Sequence, residues 1–133
     1  MPQSLFAVLP AIAILLFIAA ALKLLLVQDK RRAGSWLVPA VLATLFLGWS
    51  LYTVNTEGPL GFWAEHIRNA WGNQIWFDLL LAIAAAWALL LPRARAAGMR
   101  PAPWLVLIVC TGSIGLLAML ARCLFLETRK PAA

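Results

Sequence analysis

Four long apolar blocks, at residues 5–27, 36–54, 71–91 and 104–126, constrain this chain more than any other feature. A helix needs roughly 20 apolar residues to cross the hydrocarbon core of a bilayer. In lipid the backbone must satisfy its own N–H and C=O groups, which leaves helices and closed barrels as spanning structures. Blocks of this length therefore predict membrane-spanning helices. They occupy most of the 133 residues and leave little for a soluble domain. Composition agrees: 64% of residues are hydrophobic and 12% charged, where soluble domains have about 45–50% and about 25%. The expected fold is all-α, a single domain over residues 1–133. It is a polytopic bundle of four transmembrane helices, with a short amphipathic helix between the second and third.

A net charge of +6 in a soluble protein would suggest nucleic acid as partner. Here the cations flank apolar blocks, so the expected partner is the lipid bilayer and not nucleic acid. Residues 28–35 (QDKRRAGS) and 92–103 (PRARAAGMRPAP) form two basic loops, with Lys23 close to the first. The opposite side would hold Arg68, Arg129 and Lys130. The positive-inside rule then puts both basic loops in the cytoplasm and both termini outside, in a cell membrane of the bacterial inner-membrane type. The first block reads as a retained helix rather than a signal peptide. No Lys or Arg precedes Lys23, and its apolar core exceeds the ~7–15 residues of a signal sequence. It also holds no acid, unlike the first helix of small four-helix multidrug exporters.

Asp78 is the only carboxylate inside any of these blocks. A charge at the bilayer centre costs about 2.5–3.5 kcal/mol on the insertion scale and marks either a function or a partner. If blocks three and four are antiparallel neighbours, Asp78 lies roughly 10 Å and Arg122 roughly 6 Å below the same surface. An Asp78–Arg122 ion pair is the expectation. Trp71, Gln74 and Asp78 share one face of the third helix by spacing, and Thr111, Gly115, Ala118 and Arg122 share one face of the fourth. Asn73 and Gln74 would complete the hydrogen bonding, with Glu57, Glu65 or His66 above. The candidate site is thus Asp78 and Arg122 as a catalytic or purely structural pair, with Asn73, Gln74, His66 and Glu65 as ligand-binding groups.

Between the second and third blocks, Gly58, Pro59 and Gly61 break the helix. Trp63, Ile67, Ala70 and Trp71 then recur at amphipathic spacing, which predicts a short interfacial helix. Gly112, Ser113 and Gly115 in the fourth block read as a small-residue packing patch. Cys110 and Cys123 would lie roughly 20 Å apart on one helix, too far for a disulfide, which needs Cα atoms within about 7 Å. One histidine and no Cys–His cluster leave no zinc or haem ligand set, so no metal and no cofactor is expected.

The second half resembles a family of small bacterial integral-membrane proteins. The likeness rests on Asn69-Ala70, the run Asp78-Leu79-Leu80-Leu81-Ala82, Trp87, the loop at 93–100, Trp104, and Gly112-Ser113-Ile114-Gly115 ahead of Arg122. More remotely, an Asp-Leu helix followed by a glycine-containing helix ending in Arg is similar to the plant neoxanthin-synthase-like family. That family has Gly-Pro where Gly112-Ser113 stand here, and it is implicated in rearranging an epoxy-carotenoid. The bacterial likeness implies a fold, and the plant likeness implies chemistry on an isoprenoid. Two functions follow as expectations. One is an accessory subunit of a larger membrane complex, or a binder of lipid or another apolar ligand. The other is an intramembrane isomerase or cyclase acting on an isoprenoid or carotenoid, with Asp78 as proton donor and Arg122 or Gln74 orienting it. A small transporter ranks below both, since Asp78 is the only buried acid on offer.

Overall fold

A computed structural model describes residues 3–26 and 36–129. The basic loop at 28–35 and Lys130 lie outside the described residues. Those described form six helices and no strand. The chain divides into two compact units, Met1–Arg32 and Ala33–Ala133. The first unit holds α1, Gln3–Leu26, with Pro10 inside it and Lys23 in its last turn.

The second unit contains α2 (Leu37–Glu57), α3 (Gly61–Ile67), α4 (Ala70–Ala96), α5 (Pro101–Thr111) and α6 (Ser113–Arg129). Among the described residues, α2 and α4 are the two helices long and apolar enough to cross a membrane. Only 11% and 6% of their most apolar stretches are buried inside the described chain. Trp71, Leu81 and Leu89 of α4 are 71–78% exposed, an apolar surface of the kind that marks a membrane or protein contact.

The fourth apolar block departs from expectation. It is not one spanning helix: it breaks at Gly112 into α5 and α6, which turn back on each other. Gly112 has φ 61° and ψ −125°, a conformation open to glycine and strained for any residue with a Cβ. The fold-back is tight. A Cβ on Gly115 would stand 2.9 Å from Ile108 N and 2.9 Å from the Leu107 carbonyl carbon, so the two helices meet backbone to backbone. Thr111 Oγ1 donates to Leu107 O at 2.7 Å, satisfying its hydroxyl inside its own helix.

Three contacts set the register of this hairpin. Its tip reaches Ile83, whose Cδ1 would lie 3.8 Å from a Cβ on Gly112. That is the midpoint of α4. At the other end Arg93 grips Glu127 through two hydrogen bonds, Nε to Oε1 at 3.2 Å and Nη2 to Oε2 at 2.9 Å. Trp36, at the start of α2, meets Phe125 edge to face at 5.3 Å. The start of α2, the end of α4, the start of α5 and the end of α6 therefore share one end of the unit. A straight fourth helix would have put Arg129 at the opposite end from the loop at 97–100.

The core lies at that shared end. Leu90 and Ala94 of α4, Ile108 of α5, and Met119 and Cys123 of α6 are buried together, with Trp87, Met99 and Trp104 packed around them. This explains why α4 runs through Pro92, where the sequence suggests a stop. Proline forfeits one helical hydrogen bond, but Ala94 beyond it is fully buried and Arg93 is ion-paired, so the last turn is held by packing. The helix then ends on a Schellman motif: Met99 N–H donates to Ala94 O and Gly98 N–H to Arg95 O, both at 2.9 Å, with Gly98 at φ 82°. Pro101 opens α5 at its first turn, a position that needs no N–H donor.

Candidate functional site

The structure divides the candidate residues into three places. The first is the corner between α3 and α4. Asn69 caps α4 by accepting from Gly72 N–H at 2.8 Å, and Asn73 Nδ2 donates to His66 O at 2.6 Å. A Cβ on Gly72 would collide with Glu65 O and sit 3.0 Å from His66 O, so only glycine lets α3 fold this closely onto α4. The half-buried His66 ring stacks on Trp76 at 4.6 Å, with Phe62 beside both. Glu65 pairs with Arg68 at 3.2 Å on the exposed side. His66 and Asn73, proposed from sequence as ligand groups, thus hold this corner together, while Glu65, proposed with them, makes only its exposed local pair. The short amphipathic helix is present as α3, but Ala70 and Trp71 belong to α4.

The second place is the outer face of α4. Trp76, Ile83, Trp87, Leu90 and Ala94 are among the half-buried or buried residues, and they share one side of the helix. At 3.6 residues per turn, Trp71, Gln74 and Asp78 point away from that side, and all three are exposed. The side chains of Asp78 and Gln74 make no hydrogen bond or ion pair among the described residues.

The third place is the far end of α6, where Arg122 lies. Its guanidinium sits 5.7 Å from the centroid of the Phe125 ring, and Arg129 sits 4.5 Å from the same centroid. The expected Asp78–Arg122 pair does not form. Asp78 lies five residues beyond Ile83, and Arg122 lies ten residues back from Gly112 toward the opposite end. By helical rise they are roughly 22 Å apart along the bundle, far outside the reach of an ion pair. Pairing them requires α6 to run outward, and the turn at Gly112 reverses it.

The interhelical ion pair found among the described residues is Arg93–Glu127, with side chains 50% and 13% exposed. Cys123 Sγ also donates to Glu127 Oε1, at 3.7 Å. Sequence gives little sign of this pair, because Arg93 reads as a loop cation and Glu127 as tail. Among the described residues, no group of His, Cys, Asp and Glu could hold a metal ion.

Compared with protein families, curated proteins and solved structures, the chain finds no match. The resemblance at 69–122 rests on its motifs, and the structure changes what one of them means. Gly112-Ser113 is a hairpin tip, while Gly115 is the close-packing glycine.

Proposed function

We propose that the chain is a small multi-pass membrane protein that serves as an accessory subunit, docking a partner's transmembrane helix on the outer face of α4. The observation that carries this reading is the exposed Asp78 in the middle of an apolar surface. With α4 centred in a hydrocarbon core about 30 Å thick, Asp78 lies about 7.5 Å inside it. A carboxylate facing acyl chains is costly, and a cation on a partner helix removes the cost. Gln74, one turn away on the same face, adds a donor and an acceptor that a partner helix can use. Arg93, Arg95 and Arg100, in and beside the turn that ends α4, support a cytoplasmic placement for the shared end of α2, α4 and α6. On that orientation the end of α6 is cytoplasmic as well.

The isomerase or cyclase reading needs a second group to orient the Asp78 carboxyl. Of the two candidates, Gln74 lies one turn away on the same face and Arg122 does not, so that reading rests on Gln74 alone.

The test compares wild type with Asp78→Asn and Asp78→Leu, purified from native membranes in mild detergent. The accessory reading expects both variants to lose the stoichiometric partner. It also expects Asp78→Leu to raise the thermal stability of the isolated chain, because an unpaired charge has gone. Retention of the partner by Asp78→Leu overturns the reading. An isoprenoid extracted with the wild type, and lost in Asp78→Asn, would move the assignment to the enzyme.

A further inference from the structure

The shared end of the second unit carries a feature the Asp78 face does not explain. Between α2 and α6 lies a groove of about 340 Å³, lined by Trp36, Ala40, Ala121, Arg122 and Phe125. That volume falls within the range of small-molecule sites, about 300–1,000 Å³. Ala40 and Ala121 leave the space open, since larger side chains there would fill it. Phe125 is the centre of the cluster. Trp36 abuts its edge, and the guanidinium groups of Arg122 and Arg129 lie over it.

Two properties select the occupant. The apolar wall of the groove faces outward from helices that present apolar surface to a bilayer. The two arginines also carry charge that nothing described neutralises. Glu127, the acid at this end, is held by Arg93 through both oxygens, and neither Arg122 nor Arg129 joins an ion pair among the described residues. An arginine stacked on an aromatic face keeps its in-plane N–H donors free, and those donors match a phosphate. Arg95 and Arg100 follow at the same end. Basic pockets between helices on the cytoplasmic side suit anionic headgroups, and Trp36 is the residue type of that interface.

We propose that this groove binds one anionic phospholipid, with its acyl chain against Ala40 and Ala121 and its phosphate on Arg122 and Arg129. The site rests on the membrane reading but is independent of any partner at Asp78.

The test uses the full chain in maltoside micelles, titrated with an equimolar mixture of dioleoyl phosphatidylglycerol and dioleoyl phosphatidylcholine and followed by native mass spectrometry. Phosphatidylglycerol should bind preferentially and saturate at one molecule per chain. Arg122→Gln and Arg129→Gln should each weaken it about fivefold, the effect of one cation near an anionic headgroup, with phosphatidylcholine unchanged. Ala40→Phe, which fills the groove without altering charge, should weaken both lipids. Arg95→Gln is the control, since it removes a cation outside the groove and should leave the preference intact. Equal binding of both lipids by wild type overturns the proposal. So does a loss in Arg95→Gln as large as that in Arg122→Gln, which would show diffuse attraction instead of a site. A chain that stays monodisperse without detergent would instead overturn the membrane reading beneath it.

Discussion

Replacing Gly112 with alanine isolates the energetics of the hairpin tip. Space is not the difficulty, because the nearest atom to the new Cβ is Ile83 Cδ1 at 3.8 Å, an ordinary van der Waals contact. The penalty is conformational. At φ 61° and ψ −125° a residue with a Cβ is strained by about 1–3 kcal/mol. That should raise the ratio of open to closed hairpin by roughly 5- to 150-fold at 1.4 kcal/mol per decade. Gly48 is the matched control. It lies inside α2, and a Cβ there would meet nothing within 4 Å, so alanine should be neutral or stabilising by about 0.5–1 kcal/mol. The reporter is already present. Cys123 is fully buried in the core against α4 and α5, whereas Cys110 is exposed. In a Cys110→Ala background, the rate of maleimide labelling at Cys123 should follow opening of α6. Gly112→Ala should speed labelling by that factor, while Gly48→Ala should not. Labelling within about twofold of the parent in both variants, less than half a kcal/mol of opening free energy, would refute the assignment of Gly112 as a strained turn.

Three further predictions concern the two ends of the second unit. A double-mutant cycle of Arg93→Gln and Glu127→Gln, read by thermal unfolding in detergent, should give a coupling of about 1 kcal/mol, since the bidentate geometry is good but Arg93 is half exposed. A coupling near zero would remove the pair as a clamp. At the other end, Asn69→Ala should cost about 0.5–2 kcal/mol through the lost cap. Gly72→Ala should cost about 1–3 kcal/mol by forcing α3 off α4. The Gly72 change should also shift the fluorescence of Trp76 as the His66 ring leaves it, and an unshifted spectrum would mean that the corner is not held by that close approach.

Hydropathy alone locates α1, α2 and α4 to within a few residues, because an apolar run of this length leaves few alternatives. It fails where one glycine carries two possible meanings. In an apolar block, Gly112 and Gly115 look alike, and both suggest close packing. Gly115 does pack closely, but Gly112 supplies a positive φ, and no local pattern separates the two. The differences around Arg122 follow from that one turn. With a straight helix, Arg122 belongs beside Asp78. With a hairpin, Arg122 returns to Phe125 and Trp36, and Glu127 reaches Arg93 across 34 positions of sequence. His66 and Asn73 mislead for a different reason: a polar residue near a helix start can serve the backbone as readily as a ligand. Asp78 is legible as the odd residue of its block, though its direction depends on which side of α4 the hairpin covers.

The depth of the hairpin has a mechanical consequence. α2 and α4 are about 32 and 40 Å long by helical rise, but the wedge between them reaches only to Ile83. Each is therefore a strut, pinned at one end by the core and joined at the other only through α3. If α2 and α4 span a bilayer as proposed, its thinning or thickening acts on the struts more than on the wedge. Long helices answer such mismatch by tilting, and here the tilt has a built-in fulcrum at the middle of α4. On the membrane reading proposed above, the carboxylate of Asp78 rides on the free arm of that lever, and its depth would follow membrane thickness more closely than the basic end does.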